Sequence, residues 1–161
     1  SENYIRFTPK SFQQVAPIEI YRAKEKLLYR FICDVPVFAY DDKQTLSLNS
    51  CNIVIPEIKG LAIKYVLAIL NSSVAAFFIS KKFNSVKLLR SHIEQIPIPV
   101  VSTETQTTII EKVDHIMNST ENICGLYSEL DNIIMDLYHL EPKDREIIKI
   151  ALSGKNLFID S

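Results

Sequence analysis

Six cations and no acid lie between Ile58 and Ile93: Lys59, Lys64, Lys81, Lys82, Lys87 and Arg90. Cations crowded together without carboxylates to neutralise them are what phosphate binding requires. Lys81 and Lys82 precede Asn84 and Ser85, two donors in a turn that suit a sugar-phosphate backbone. The competing reading is a solvated surface, since lysines also favour helix C-termini. A second group surrounds an apolar strand. Arg22, Lys24, Lys26 and Arg30 lead into it, and Tyr40, Lys43, Asn49 and Asn52 follow beyond a turn. Arginine and asparagine are the side chains that read guanine and adenine bidentately in the major groove. Two alternatives stand beside that reading: Arg30 pairs with Asp41 or Asp42 across a sheet, and Asn49 and Asn52 serve only as turn or edge residues.

Signatures of catalysis are sparse. His92, His115 and His139 are isolated, and no Cys/His spacing suits a metal. Three glycines leave no glycine-rich loop for phosphates, and no nucleophile elbow is present. Glu141-Pro142-Lys143 has the E-x-K form that nucleases use with an upstream Asp, but it falls at a helix joint in an acidic stretch. A short lone motif of this kind carries little information.

The elements that must position these residues follow from periodicity. Residues 1–17 mix proline and polar residues and read as a linker. Lys26 to Cys33, Val37 to Tyr40 and Leu46 to Ile55 have strand composition, separated by Asp34-Val35-Pro36 and by Asp41 to Gln44. Short turns between them predict an antiparallel meander. Leu61 to Leu70 is apolar almost all round, which predicts a helix buried on most sides. Asn71-Ser72-Ser73 forms a joint with a hydroxyl able to cap the next helix, Val74 to Phe83. Val86 to Gln95 reads as a short helix or irregular segment. Pro97 and Pro99 force residues 96–100 to be extended.

Thr103-Glu104-Thr105-Gln106 has the form of a capping box. Ile109, Val113, Ile116, Thr120, Ile123, Tyr127, Leu130, Ile134 and Leu137 then recur at strict 4-3 spacing. That heptad seam, with one polar member, predicts a single helix from about 104 to 138, roughly 50 Å long. Its partner is another chain, another domain, or the helix's own domain. A short helix, about 143–152, follows Pro142 at its first turn.

The whole reads as an α+β chain. A small antiparallel or mixed sheet with packed helices spans 18–100, and a coiled-coil-like helical arm spans 101–161. Charge divides along the same line. Residues 1–100 hold 13 basic against 8 acidic residues, a net of +5, and residues 101–161 hold 5 against 11, a net of −6. One end can face a polyanion and the other cannot. Cys33, Cys51 and Cys124 are odd in number and far apart, as expected of reduced thiols in a cytoplasmic protein. The first ten residues lack a signal peptide's apolar core, and no apolar run is long enough to span a membrane.

Three strings, 28-LYRFI-32, 37-VFAYD-41 and 48-LNSCNIVIP-56, resemble the TaqI-like specificity domain. That domain occurs in type II restriction enzymes fused to adenine-N6 methyltransferases. The run 65-YVLAILNS-72 is similar to its helix after the strands, and 87-KLLR-90 through 96-IPIP-99 to its closing segment. Ile98-Pro99 with Gln106 and 109-IIEKV-113 is similar to the start of the spacer helices of type I specificity subunits. Residues 136-DLYHL-140 before 146-EII-148 resemble the tail of the fused enzymes.

The resemblance implies a target-recognition domain that binds double-stranded DNA and does no chemistry of its own. No cofactor is expected in this chain. S-adenosylmethionine would belong to an upstream methyltransferase domain, whose Asn/Asp-Pro-Pro-Tyr/Phe motif is missing here. The expected DNA contacts are Lys24, Lys26, Arg30, Tyr40, Lys43, Asn49, Lys81, Lys82, Asn84, Lys87 and Arg90. The helical seam is expected to meet the methyltransferase domain, a second subunit or a second copy. The alternative is an assembly module in which the helices act and DNA contact is incidental.

Overall fold

The computed structural model describes residues 16–47, 50–83 and 85–155. Most of the expected linker, together with Asn49 and Asn84, lies outside the described residues. A short helix, α1 (Ile18–Tyr21), leads into three strands: β1 (Lys26–Arg30), β2 (Phe38–Asp41) and β3 (Cys51–Val54). Among the described residues, seven helices and one small antiparallel sheet give an α+β fold.

The sheet is not the expected meander. Its order is β2-β1-β3, with β1 in the centre. Leu27 pairs with Tyr40 on one side and with Val54 on the other. The reason is burial. β1 carries three buried residues, Lys26, Leu27 and Tyr29, against two in β2 and none in β3, and a central strand covers both of its edges. β3 therefore returns to the free edge of β1 rather than to β2.

The exposed edge of β2 is closed by a side chain. The Asn71 amide accepts from the Phe38 N–H at 2.8 Å and donates to the Phe38 carbonyl at 2.8 Å. One carboxamide thus does for Phe38 what a fourth strand would do. We predict that Asn71→Leu costs about 1–3 kcal/mol in urea denaturation, because it strands both polar groups of a half-buried peptide unit. A change no larger than that of an ordinary surface substitution would contradict this role.

Helix α2 (Ile63–Leu70) runs behind the sheet, and Tyr65 to Leu70 are all buried, as its all-round apolarity requires. Ser72 ends the joint and caps α3 (Ser73–Lys82) by accepting from the Ala75 N–H. The short α4 (Arg90–Ile93) precedes the extended Ile96–Pro99 segment. Tyr65 and Tyr138 donate their hydroxyls to the Pro99 and Pro97 carbonyls, so that segment is held from two sides.

The single helix from 104 to 138 is also corrected. The structure has α5 (Thr103–Asn118) and α6 (Ile123–Leu137), with a break at Ser119 to Asn122. Thr120, the one polar seam residue, sits in that break. The Ser119 hydroxyl bonds the backbone of Glu121 at 2.8 and 3.4 Å, a local bond that competes with the helical ladder. Asn122 turns left-handed with φ 51°, and its side chain folds over Gly125 where a Cβ would meet it at 2.5 Å. Chain direction reverses, so α6 packs against α5, and Lys112 reaches Glu129 across the pair at 3.3 Å.

The seam is consequently used inside the chain. Ile109, Val113, Leu130 and Ile134 are buried in the same core as Leu27, Tyr29 and α2. Ile116, Tyr127 and Leu137 are half-buried, and Ile123 is exposed. The expected capping box is shifted too. Ser102 rather than Thr103 caps α5. Gln106 turns inward and clamps the turn before α2, accepting from the Ala62 N–H and donating to the Gly60 carbonyl. Asp131 of α6 accepts from both the N–H and the hydroxyl of Ser73, which joins α6 to the first turn of α3. Helix α7 (Pro142–Leu152) packs on α3 through Ile148 and Leu152.

Candidate nucleic-acid interface

The expected DNA contacts separate into three places. Register puts Lys26 opposite Asp41 at one end of β1, and Arg30 opposite Cys51 at the other end. Four residues of strand are about 13 Å. Lys24, Lys26, Tyr40 and Lys43 belong to the first end.

Lys26 does not face solvent. It is fully buried, its ammonium is paired with the Asp41 carboxylate, and it donates to the Tyr21 carbonyl at 2.8 Å. Burial alone would raise the Asp41 carboxyl. The Lys26 ammonium, the Thr45 hydroxyl and the N–H groups of Lys43 and Thr45 overcome that and hold it at about 2. Lys26 is thus a structural cation, and its assignment as a DNA contact is corrected. Asp41 is the partner that the sequence alternative gave to Arg30. The Tyr40 hydroxyl donates a hydrogen bond to the Glu25 carboxylate, and the Lys64 ammonium lies 4.9 Å above its ring. Lys24 and Lys43 are exposed, and among the described residues neither forms an ion pair.

Arg90 lies elsewhere, in a cleft beside Ile53, Val54 and Ile55 of the β3 edge. It is exposed and bonded to Glu94 at 2.7 Å. Such an exposed i,i+4 pair is weakened by solvent, so it yields readily to a phosphate. Lys64 is bound to Asp114 of α5 at 2.6 Å. The acid-free window is therefore acid-free only along the chain, because α5 brings a carboxylate back to it.

The third place gathers the most cations. Arg30, Lys87 and Lys155 line one open cleft of about 1200 Å³ with Ser80, Ser85 and, among the described residues, a single carboxylate, Asp34. Lys81 and Lys82 stand exposed on the last turn of α3 and line a separate groove between α3 and α7, with Phe77, Phe78 and Asp144. Aromatic faces hold these cations instead of acids. Lys81 lies over Phe77 at 5.8 Å, Lys82 over Phe78 at 5.0 Å, and Lys87 over Phe31 at 5.9 Å. A cation on a ring keeps its charge outward and available. The Ser85 hydroxyl bonds the backbone N–H and carbonyl of Lys87, which fixes that turn. Phe83 in turn stacks on His92 at 4.0 Å.

Lys155 was not foreseen. It comes from the acidic half and reaches the cleft because α7 packs along α3 and ends beside it. No spacing rule along the chain could have found it. Among the described residues no three His, Cys, Asp or Glu side chains converge to hold a metal. Glu141 and Lys143 of the E-x-K triplet pair with each other at 3.0 Å, and the Glu141 N–H is bonded to Asp144 at the start of α7.

An exposed cleft with three cations and, among the described residues, one carboxylate has the charge to suit a polyanion. The TaqI-like C-terminal specificity domain matches residues 1–98, more than half of the chain. The chain belongs to this family. No curated protein matches it. The family makes the protein a DNA specificity domain of restriction-modification enzymes, a kind of domain that is typically non-catalytic. The specificity domain's match ends inside the Ile96–Pro99 segment, before α5, α6 and α7. Arg30, Lys81, Lys82 and Lys87 therefore all lie within the matched stretch, and Lys155 alone joins them from beyond it.

Proposed function

We propose that this domain selects the DNA sequence on which a separate methyltransferase domain acts, by adenine-N6 methylation, in a fused type II restriction-modification enzyme. S-adenosylmethionine would be held by that other domain. The observation that carries the reading is the cleft of Arg30, Lys87 and Lys155, where, among the described residues, three cations face one carboxylate. Phosphates would be held there, and bases would be read from the strand ends that rise beside it. The alternative of a helical assembly module has less of the seam to work with, because Ile109, Val113, Leu130 and Ile134 are buried in the chain's own core.

Fluorescence anisotropy of the full chain with duplex DNA tests this. Neutralising four phosphates gives a slope of roughly −3.6 for log K against log salt. Lys82→Ala/Lys87→Ala should weaken binding to all duplexes alike and make the slope shallower by about 2. A salt-independent affinity, or no duplex binding at all, would overturn the proposal.

A further inference from the structure

Two large aliphatic side chains stand exposed in the same cleft: Ile32 at 63 % and Val86 at 61 %. Isolated surface aliphatics are ordinary. These two belong to one short ribbon. Ile32 faces Lys87 across an antiparallel bridge, the Cys33 N–H donates to the Val86 carbonyl at 3.1 Å, and the Leu88 N–H donates to the Phe31 carbonyl at 2.8 Å. Buried Leu88 anchors the ribbon from beneath, and the Phe31 N–H donates to the Ser50 carbonyl at 3.3 Å, which ties it to the sheet. The ribbon is therefore preorganised.

The surroundings of Ile32 decide what it meets. Arg30 lies two residues before it, Lys87 directly opposite, and among the described residues Asp34 is the one carboxylate lining the cleft. An apolar protein partner would have to desolvate those cations without compensation. A DNA duplex offers phosphates to the cations and, in the major groove, one apolar group: the 5-methyl of thymine. The major groove, about 12 Å wide, admits a two-stranded ribbon, whereas the minor groove, about 6 Å wide, does not.

We infer that the ribbon of residues 31–33 and 86–88 enters the major groove and that Ile32 recognises thymine through its 5-methyl group. Arg30 and Lys87 hold the flanking phosphates or a neighbouring guanine. This rests on the reading of the domain as a DNA selector and names a residue that selects.

The test uses the full chain and duplexes selected from a random-sequence pool, with each thymine replaced in turn by deoxyuridine. Wild type should lose about fourfold in affinity at one or two positions, the value of one buried methyl. Ile32→Ala should bind the thymine and uracil duplexes equally, with unchanged thermal unfolding. Val100→Ala, at an exposed aliphatic remote from the cleft lining, should keep the wild-type preference. Retention of the thymine preference by Ile32→Ala, or equal binding of every uracil duplex by wild type, would refute the inference while leaving DNA selection intact. Failure of wild type to bind any duplex would remove both.

Discussion

Replacing Asp41 with Ala lowers the free energy of unfolding by about 3–5 kcal/mol, the usual cost of leaving one member of a buried ion pair alone. Lys26 has no exposed surface through which water could take over. Asp41 also receives the Thr45 hydroxyl at 2.7 Å and the N–H groups of Lys43 and Thr45 at 3.1 and 2.9 Å, so the turn after β2 loosens with it. Urea denaturation measures the effect. Lys26→Met/Asp41→Leu, which removes both charges, should recover much of the loss, because two desolvation costs vanish together. The pair also sets an acid limit. The Asp41 carboxyl sits at about 2 in the folded chain against an ordinary 3.8. Between those values the unfolded chain binds more protons, so its contribution is full above about pH 4 and is lost as pH falls toward 2. Were Lys26 a phosphate contact instead, Lys26→Met would weaken DNA binding and leave unfolding unchanged. The expected outcome is the reverse: a large loss of stability.

Ile109→Ala costs about 2–5 kcal/mol, the range for truncating a fully buried aliphatic side chain. Ile109 is covered completely, in a core that also contains Leu27 of β1 and Tyr65, Val66 and Ile69 of α2. The substitution should lower the denaturation midpoint of the sheet and the helices together. Sedimentation should show the same mass for wild type and variant. If the seam were an interface between chains, the variant would instead dissociate a dimer and leave monomer stability nearly unchanged.

Both results bear on what could be read without coordinates. Three strands, the buried α2, a serine cap in the 71–73 joint and the extended Ile96–Pro99 segment were legible, because each depends on neighbours a few residues away. Strand composition in Lys26 to Cys33, all-round apolarity in Leu61 to Leu70 and two fixed proline φ angles need no distant partner to be recognised. The heptad seam was legible as apolar periodicity but not as an intramolecular surface. Its 4-3 spacing runs on through Thr120, while the local bonds of Ser119 and the left-handed Asn122 stop the helix. Periodicity describes which side of a helix is apolar, not what covers it.

The interface was harder. Along the chain Lys26, Lys64 and Arg30 look alike, three cations near apolar residues. Folding gives Lys26 to Asp41, gives Lys64 to Asp114, and leaves Arg30 in the cleft. A charge's availability depends on which carboxylates lie within a few ångströms, and those come from residues 15 and 50 positions away. Amino-acid order alone thus established the α+β composition, the helix and strand stretches and the family, all of which rest on local pattern. The order of the strands, the doubling back of α6, and the gathering of Arg30, Ile32, Lys87 and Lys155 around one cleft came from packing. Burial of Leu27, Tyr29 and the seam in a common core chose between arrangements that local propensity left equal.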